Sequence, residues 1–302
     1  MVNLTTKIAT LNLMNPTILA SGIMDEDAGS MERVYNCGAG AVVTKSIGLE
    51  PKKGYPNPTV VELENGILNA MGLPNPGINQ YGNEIKVLKT LKIPVIGSIF
   101  GLNSKEFVEI ANKMENYGAN AIELNMSCPH AEGYGLEIGS DSKLVEEITL
   151  KVKESTKIPV FIKLSSNLPS VTEIAKSAEN GGADGIVAIN TVKAMKIDLE
   201  LKIPVLSNKI GGYSGKAIKP IGIRCVYEIS KSVDIPVIGV GGITTGEDAL
   251  EYIMAGASAV QIGSAIYYRG IDVFKDICKE METWMKEQGY CDISKLIGVA
   301  HE

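Results

Sequence analysis

Histidine is nearly absent from this chain, with two residues, His130 and His301, among 302. The five cysteines, Cys37, Cys128, Cys225, Cys278 and Cys291, are widely spaced and never form a CxxC pair. Both scarcities argue against a zinc or iron–sulfur site within the chain. An odd number of scattered cysteines fits reduced thiols and not a disulfide framework. No stretch reaches the roughly 20 apolar residues that cross a bilayer. The N-terminal MVNLTTKIATLNLMN has no basic segment followed by a long apolar run, so neither a membrane span nor a secretory leader is expected, and the expected location is the cytoplasm. Clusters of Lys or Arg interleaved with aromatics are also missing, and the net charge of -6 is spread along the chain. Nucleic acid is therefore excluded as an expected partner. No low-complexity segment and no repeat longer than a strand–helix unit is visible.

What is present is apolar mass in short, regular pieces. The chain is 45% hydrophobic, with 32 Gly and 13 Pro, enough for a large core. Eight short runs rich in β-branched residues recur along it: TILA (17–20), AVVTK (41–45), PVIGSI (94–99), AIELN (121–125), PVFIKL (159–164), GIVAIN (185–190), PVIGV (236–240) and AVQIG (259–263). Between them lie amphipathic stretches such as SKEFVEIANKMENYG and TGEDALEYIMAGA, ending in Gly or Asn where a helix takes a left-handed cap. Continuous apolar runs mark strands buried on both faces, as in parallel sheets with crossover helices. Three runs open with KIPV, KIPV or DIPV, where proline at the strand entrance gives up a donor that has no partner there.

Eight such units predict one α/β domain over residues 1–302, a (β/α)8 TIM barrel with an additional N-terminal β segment and long loops after strands 2, 4 and 6. A doubly wound open sheet is the other arrangement the alternation allows. The first run, TILASG, has no GxGxxG, and the glycines gather after the late strands, which favours the barrel. The connections 46–78 and 191–217 are unusually long. In barrels such loops sit over the active site, at the carboxyl ends of the strands.

A barrel brings the residues at and just past each strand end to one cavity. Here those residues are Ser21, Lys45, Ser98, Asn125, Lys163, Asn190, Thr191, Gly241, Gly242, Gly263 and Ser264. Lysines inside apolar runs, VVTKS and FIKLS, are the sharpest signal, because a buried ammonium needs an anion or acceptor beside it. The glycine-rich GVGGITTGEDA and QIGSA have the makings of a phosphate cradle of bare amides and a helix N-terminus, at the end of the barrel where such cradles occur. Cys128 in ELNMSCPHAEGYG then lies at the cavity mouth.

The segments TILASG, VVTKS, NGILNAMGLPNPG (65–77), ELNMSCP, FIKLS, AINT, GGYSGKAIKP (211–220), GVGGI and QIGSA, in that order, resemble the motifs of the class 1 dihydroorotate dehydrogenases. The resemblance spans nearly the whole chain. GLPNPG with GGYSGKAIKP is similar to the catalytic subunit of the 1B form more than to the homodimeric, fumarate-reducing 1A form. Cofactor and substrate are implied by it: FMN, and the oxidation of dihydroorotate to orotate in pyrimidine synthesis.

Residue by residue, the resemblance puts the FMN phosphate on Gly215, Gly241, Gly242, Gly263 and Ser264. Ala20, Ser21 and Lys45 approach the ring, and Ser46, Ser98, Asn125, Ile189 and Asn190 share the cofactor side. Lys163 is placed at the flavin N1–O2 edge, where a fixed cation favours the negative charge of reduction. Asn69, Asn125, Asn190 and Thr191 read the substrate's amide-like edges. Lys45 and the amides of Met71, Gly72 and Leu73 hold its carboxylate. Cys128 resembles the family's base for the C5 proton, and a thiol of ordinary pKa near 8.5 is ionised enough at neutral pH to serve. His130 departs from the family's CPN motif. It either contacts the substrate or thiol, changing the pH profile, or faces solvent.

The resemblance also implies a homodimer joined to an electron-transfer subunit with FAD and a [2Fe–2S] cluster, a heterotetramer that passes electrons to NAD+. Other readings of the same residues are a dihydrouracil- or fumarate-linked FMN barrel, a non-redox phosphate-binding barrel, and a scaffold that has lost its chemistry.

Overall fold

The computed structural model describes residues 2–126 and 136–301. Its strands, in chain order, are β1 (Thr6–Ile8), β2 (Leu11–Leu13), β3 (Thr17–Leu19), β4 (Ala41–Val43), β5 (Val60–Leu63), β6 (Gly66–Asn69), β7 (Val95–Ile99), β8 (Ala121–Asn125), β9 (Val160–Leu164), β10 (Gly185–Ala188), β11 (Val192–Ala194), β12 (Ile197–Asp198), β13 (Ile203–Pro204), β14 (Gly211–Ser214), β15 (Val237–Val240) and β16 (Ala257–Ile262). Strands β3, β4, β7, β8, β9, β10, β15 and β16 close in that order into a parallel barrel, which is the predicted TIM barrel and not the open sheet. Each of the eight runs read from the sequence contributes one of these strands.

Every residue of β7, β8 and β9 is buried, as apolar runs covered on both faces require. Pro94, Pro159 and Pro236 stand immediately before β7, β9 and β15. They donate nothing, yet their carbonyls accept from Val42, Ile122 and Ile186 of neighbouring strands at 2.8–3.0 Å, so each proline still joins the ladder by its other half. The helices between begin where the sequence offers a cap: Asn103, Asp141, Ser170 and Thr245 each accept from a first-turn amide.

The predicted N-terminal β segment is the antiparallel hairpin β1–β2. Its Ile8, Leu11 and Leu13 share one buried cluster with the inward residues Ile18, Val43, Ile96, Phe161, Val187 and Ile238. The hairpin thus plugs the amino end of the barrel with hydrocarbon and leaves the carboxyl end for the site.

At that carboxyl end the two long connections zip together, a pairing that no local pattern in the sequence foretells. β5 and β6 from one loop and β11 and β14 from the other form a four-stranded antiparallel sheet in the order β11-β14-β6-β5, with Val192 opposite Tyr213, Tyr213 opposite Leu68 and Leu68 opposite Val61. The Ser207 hydroxyl donates to the Pro56 carbonyl, tying the loops a second time. The core of this lid is small, with Leu68, Ala70 and Leu206 fully buried. Leu68→Ala is expected to cost about 2–5 kcal/mol. A unit with so few buried contacts opens locally before the barrel does, so limited proteolysis within 46–78 and 191–217 should speed up about tenfold or more. Unchanged cleavage with a lower global Tm would mean that lid and barrel unfold as one.

A candidate active site under the lid

Between the strand ends and the lid lies a cavity of about 500 Å³. Its wall contains most of the residues singled out above: Ala20, Ser21, Lys45, Ser46, Asn69, Met71, Gly72, Leu73, Asn125, Lys163, Ile189, Asn190, Thr191, Gly241, Gly242, Gly263 and Ser264. Ser98 does not face it. It is fully buried one layer behind the wall, with its Oγ 2.8 Å from Ser46 Oγ. Gly215 does not line it either, but its carbonyl backs Gly242. Ser127, Cys128 and His130 lie outside the described residues.

The floor is polar and buried. Lys163, 6% exposed, donates to Glu123 Oε1 at 3.3 Å and to Gln261 Oε1 at 3.2 Å, and Gln261 Nε2 donates to Glu123 Oε2 at 2.7 Å. Glu123 is the anion that the buried lysine demanded. Neither it nor Gln261 is found by inspecting strand ends, because both sit inside the runs AIELN and AVQIG. The signal is there all the same: a carboxylate and an amide interrupt apolar strands, as Lys163 does. Inward alternation puts Ala121, Glu123 and Asn125 on one line, and Phe161 and Lys163 on another.

Above the floor, a hydroxyl fixes Asn125, and Asn125 in turn meets Asn190. Asn125 Nδ2 donates to Ser46 Oγ at 3.0 Å, and Asn190 Nδ2 approaches Asn125 Oδ1 at 3.5 Å. With its donor side spoken for, Asn125 is held in one orientation, which is what reading a ligand edge requires.

The other lysine is placed differently. Lys45 sits past the end of β4, its side chain 15% exposed, and pairs at 3.1 Å with the exposed Glu26. Beside it, burial pushes the Asp25 carboxyl up, while the Gly22 N–H and the Lys45 charge pull it partly back. Tyr81, fully buried, donates to the Asp25 carbonyl at 2.6 Å and pins the segment. Asp25 and Glu26 line the cavity, although strand-end inspection passes over both.

On the far side, Gly241 and Gly242 adopt φ of +128° and +68°. A side chain on Gly242 would bring its Cβ within 2.6 Å of the Gly215 carbonyl oxygen, so the turn closes only with glycine. Among the described residues, no acceptor meets the backbone N–H groups of Gly241, Gly242, Gly263 or Ser264. Donors left without a protein acceptor along a cavity wall are ready for an anion. The Tyr252 hydroxyl donates to the Gly241 carbonyl at 2.7 Å from behind and holds the turn. Among the described residues no group of three or more His, Cys, Asp or Glu gathers to hold a metal, and no helix is long and apolar enough to cross a membrane.

The family model described as dihydroorotate dehydrogenase matches residues 3–285. Several curated proteins named dihydroorotate dehydrogenase B (NAD(+)), catalytic subunit, are similar over their full length. The one from Methanocaldococcus jannaschii is 52% identical over 303 residues, covering 99% of this chain and 98% of its own. That from Thermoplasma acidophilum is 52% identical over 300 residues, with 99% of each chain covered. That from Pyrococcus horikoshii is 53% identical over 294 residues, covering 97% and 96%.

Proposed function

This chain belongs to the dihydroorotate dehydrogenase family, and on that premise we propose that it is the catalytic subunit of a B-type enzyme that oxidises dihydroorotate to orotate in pyrimidine synthesis. The observation that carries the reading is one cavity combining a buried ammonium, three asparagines and a turn whose amides meet no acceptor among the described residues. This donor set fits FMN: the amides of Gly241, Gly242, Gly263 and Ser264 would hold its phosphate, with Gly215 supporting Gly242, and Lys163 would face its ring. When bound, FMN accepts the hydride that leaves C6 of the substrate.

The chain's own residues do the rest. Lys45, with the amides of Met71, Gly72 and Leu73, holds the substrate carboxylate and so sets which face of the ring turns to the flavin. Substrate displaces Glu26 from Lys45, an exchange of one carboxylate for another at the same ammonium. Asn69, Asn125, Asn190 and Thr191 receive the amide-like edges, and Ser46 holds Asn125 in register. Ala20, Ser21 and Ile189, which line the cavity, would pack against the cofactor. Cys128 takes the C5 proton, so that one proton and one hydride leave and the ring double bond forms. The lid excludes water from this step.

The electrons leave through a partner. The relatives' name, catalytic subunit with NAD(+), supports a second subunit, which we read as carrying FAD and a [2Fe–2S] cluster, with a homodimer of this chain at the centre of a heterotetramer. We place the reaction in the cytoplasm, in keeping with four described cysteines that are all free thiols.

The purified chain should show a flavin spectrum that bleaches without oxygen when dihydroorotate is added. A colourless protein that takes up no FMN would sink the reading. Gly242→Val is expected to lower the flavin-to-protein ratio after gel filtration about tenfold or more. A branched side chain at positive φ costs of order 1–3 kcal/mol, and each 1.4 kcal/mol is a factor of ten in binding.

A further inference from the structure

Glu123, Lys163 and Gln261 are an expensive choice for the inside of a barrel. Such interiors are ordinarily filled by layers of branched aliphatic chains. The next inward positions of the same strands, two residues earlier, are Ala121, Phe161 and Ala259, members of the apolar plug. A buried ion pair is typically no more stabilising than well-packed hydrocarbon of the same volume, so stability alone does not account for three polar residues there. They are also not a local accident of one hairpin. β16 and β8 have β3, β4 and β7 between them around the barrel, so the Gln261–Glu123 bond spans its width.

The two charges are not equivalent with respect to the cavity. Lys163 and Gln261 line it, whereas Glu123 is wholly enclosed and does not. Both of its oxygens are engaged. Oε1 takes Lys163 and, at 3.5 Å, the Ser98 hydroxyl, and Oε2 takes Gln261. Ser98 bonds in turn to Ser46, which holds Asn125. The enclosed carboxylate therefore anchors both the cation at the floor and, through two hydroxyls, an asparagine of the wall. This also gives Ser98 its place: behind the wall, fixing what the wall presents.

We infer that Glu123 is a positioning residue whose carboxylate fixes the Lys163 ammonium at the cavity floor and offsets its charge, so that the pair, and not Lys163 alone, sets the reduction potential of a flavin bound above it. The inference rests on the FMN reading. Reduction adds negative charge to the cofactor, and that charge is favoured by a positive floor and opposed by a negative one at low effective dielectric. With Glu123 ionised the floor is close to neutral. Without it, Lys163 acts uncompensated.

The test is the two-electron midpoint potential of the FMN-loaded protein, titrated without oxygen against reference dyes, for the unaltered chain, Glu123→Gln and Glu123→Asp. Glu123→Gln keeps the shape and removes the charge. Its potential is expected to rise by at least the equivalent of a tenfold change in the reduction equilibrium, about 30 mV for two electrons. Glu123→Asp keeps the charge and is expected to stay within half of that shift of the unaltered protein. Should Glu123→Gln fail to fold, Glu123→Met, which removes the charge and fills the space with hydrocarbon, decides by the same criterion. A potential unmoved in the neutral variants, with only the melting temperature changed, would reduce Glu123 to a structural residue and overturn the inference. Failure of the FMN reading itself is seen separately, in the spectrum of the unaltered chain before any variant is made.

Discussion

Cys128→Ala is expected to retain FMN and to be reduced by dihydroorotate roughly 10²–10⁴-fold more slowly than the unaltered chain, the range a positioned general base contributes. The substrate has two bonds to break, and only the hydride has a destination once the base is gone. Cofactor content should not change, because the groups that fit the phosphate are amides of Gly241, Gly242, Gly263 and Ser264, none of which the substitution alters. Stopped-flow bleaching of the flavin band without oxygen measures the effect directly. In the unaltered chain the bleaching rate should rise with pH toward the ordinary thiol pKa near 8.5 and then level, because the thiolate is the base. Cys128→Ser should lose that rise over the same range, since a serine hydroxyl does not ionise there. A Cys128→Ala protein that bleaches at the original rate would move the base to another residue.

The largest effect on stability is expected from Lys163→Met. Glu123 would keep its full burial and lose its counter-charge, and breaking one side of a buried pair costs about 3–5 kcal/mol. For a chain of this size that is a fall in Tm of roughly 10 °C, read by thermal denaturation of the cofactor-free protein so that flavin binding does not enter. The double variant Lys163→Met/Glu123→Leu should regain most of the loss, because replacing both partners leaves no unpaired charge. A single variant as stable as the unaltered chain would show that the Lys163–Glu123 contact is not a stabilising pair.

The barrel was legible because its signals are local. A strand buried on both faces announces itself as a short apolar run whatever it pairs with, and AIELN matches β8 to the residue. The residues just past strand ends were legible for the same reason: once the barrel is granted, Asn125, Asn190, Gly242 and Ser264 must share a cavity, and they do. Lys163 was visible as a charge out of place. Its partner was less so, although Glu123 interrupts its own strand just as plainly, because nothing within a run says which residue across the barrel will meet it. Asp25 and Glu26 were missed for another reason. They come after β3 in an ordinary polar loop, and only the fold turns that loop toward Lys45.

One pentapeptide separates the two kinds of knowledge. LKIPV occurs at 91–95 and again at 201–205. Local chemistry gives both copies the same start: Lys92 and Lys202 adopt φ of 59° and 58°. Their fates then part. Ile93 is 3% exposed and leads into β7 at the centre of the barrel, whereas Ile203 is 53% exposed in the short outer pair β12–β13. The next five residues decide part of this, since IGSIF continues an apolar strand and LSNKI does not. By itself the sequence determined turns, caps, strand runs and the polar character of their ends, because these depend on neighbours along the chain. Only the tertiary structure decided the four-stranded lid, the Glu123–Lys163–Gln261 floor and the placing of Lys45 beside Glu26. Each of these joins groups far apart in sequence, and they meet only because closing the barrel fixes where every strand end must stand.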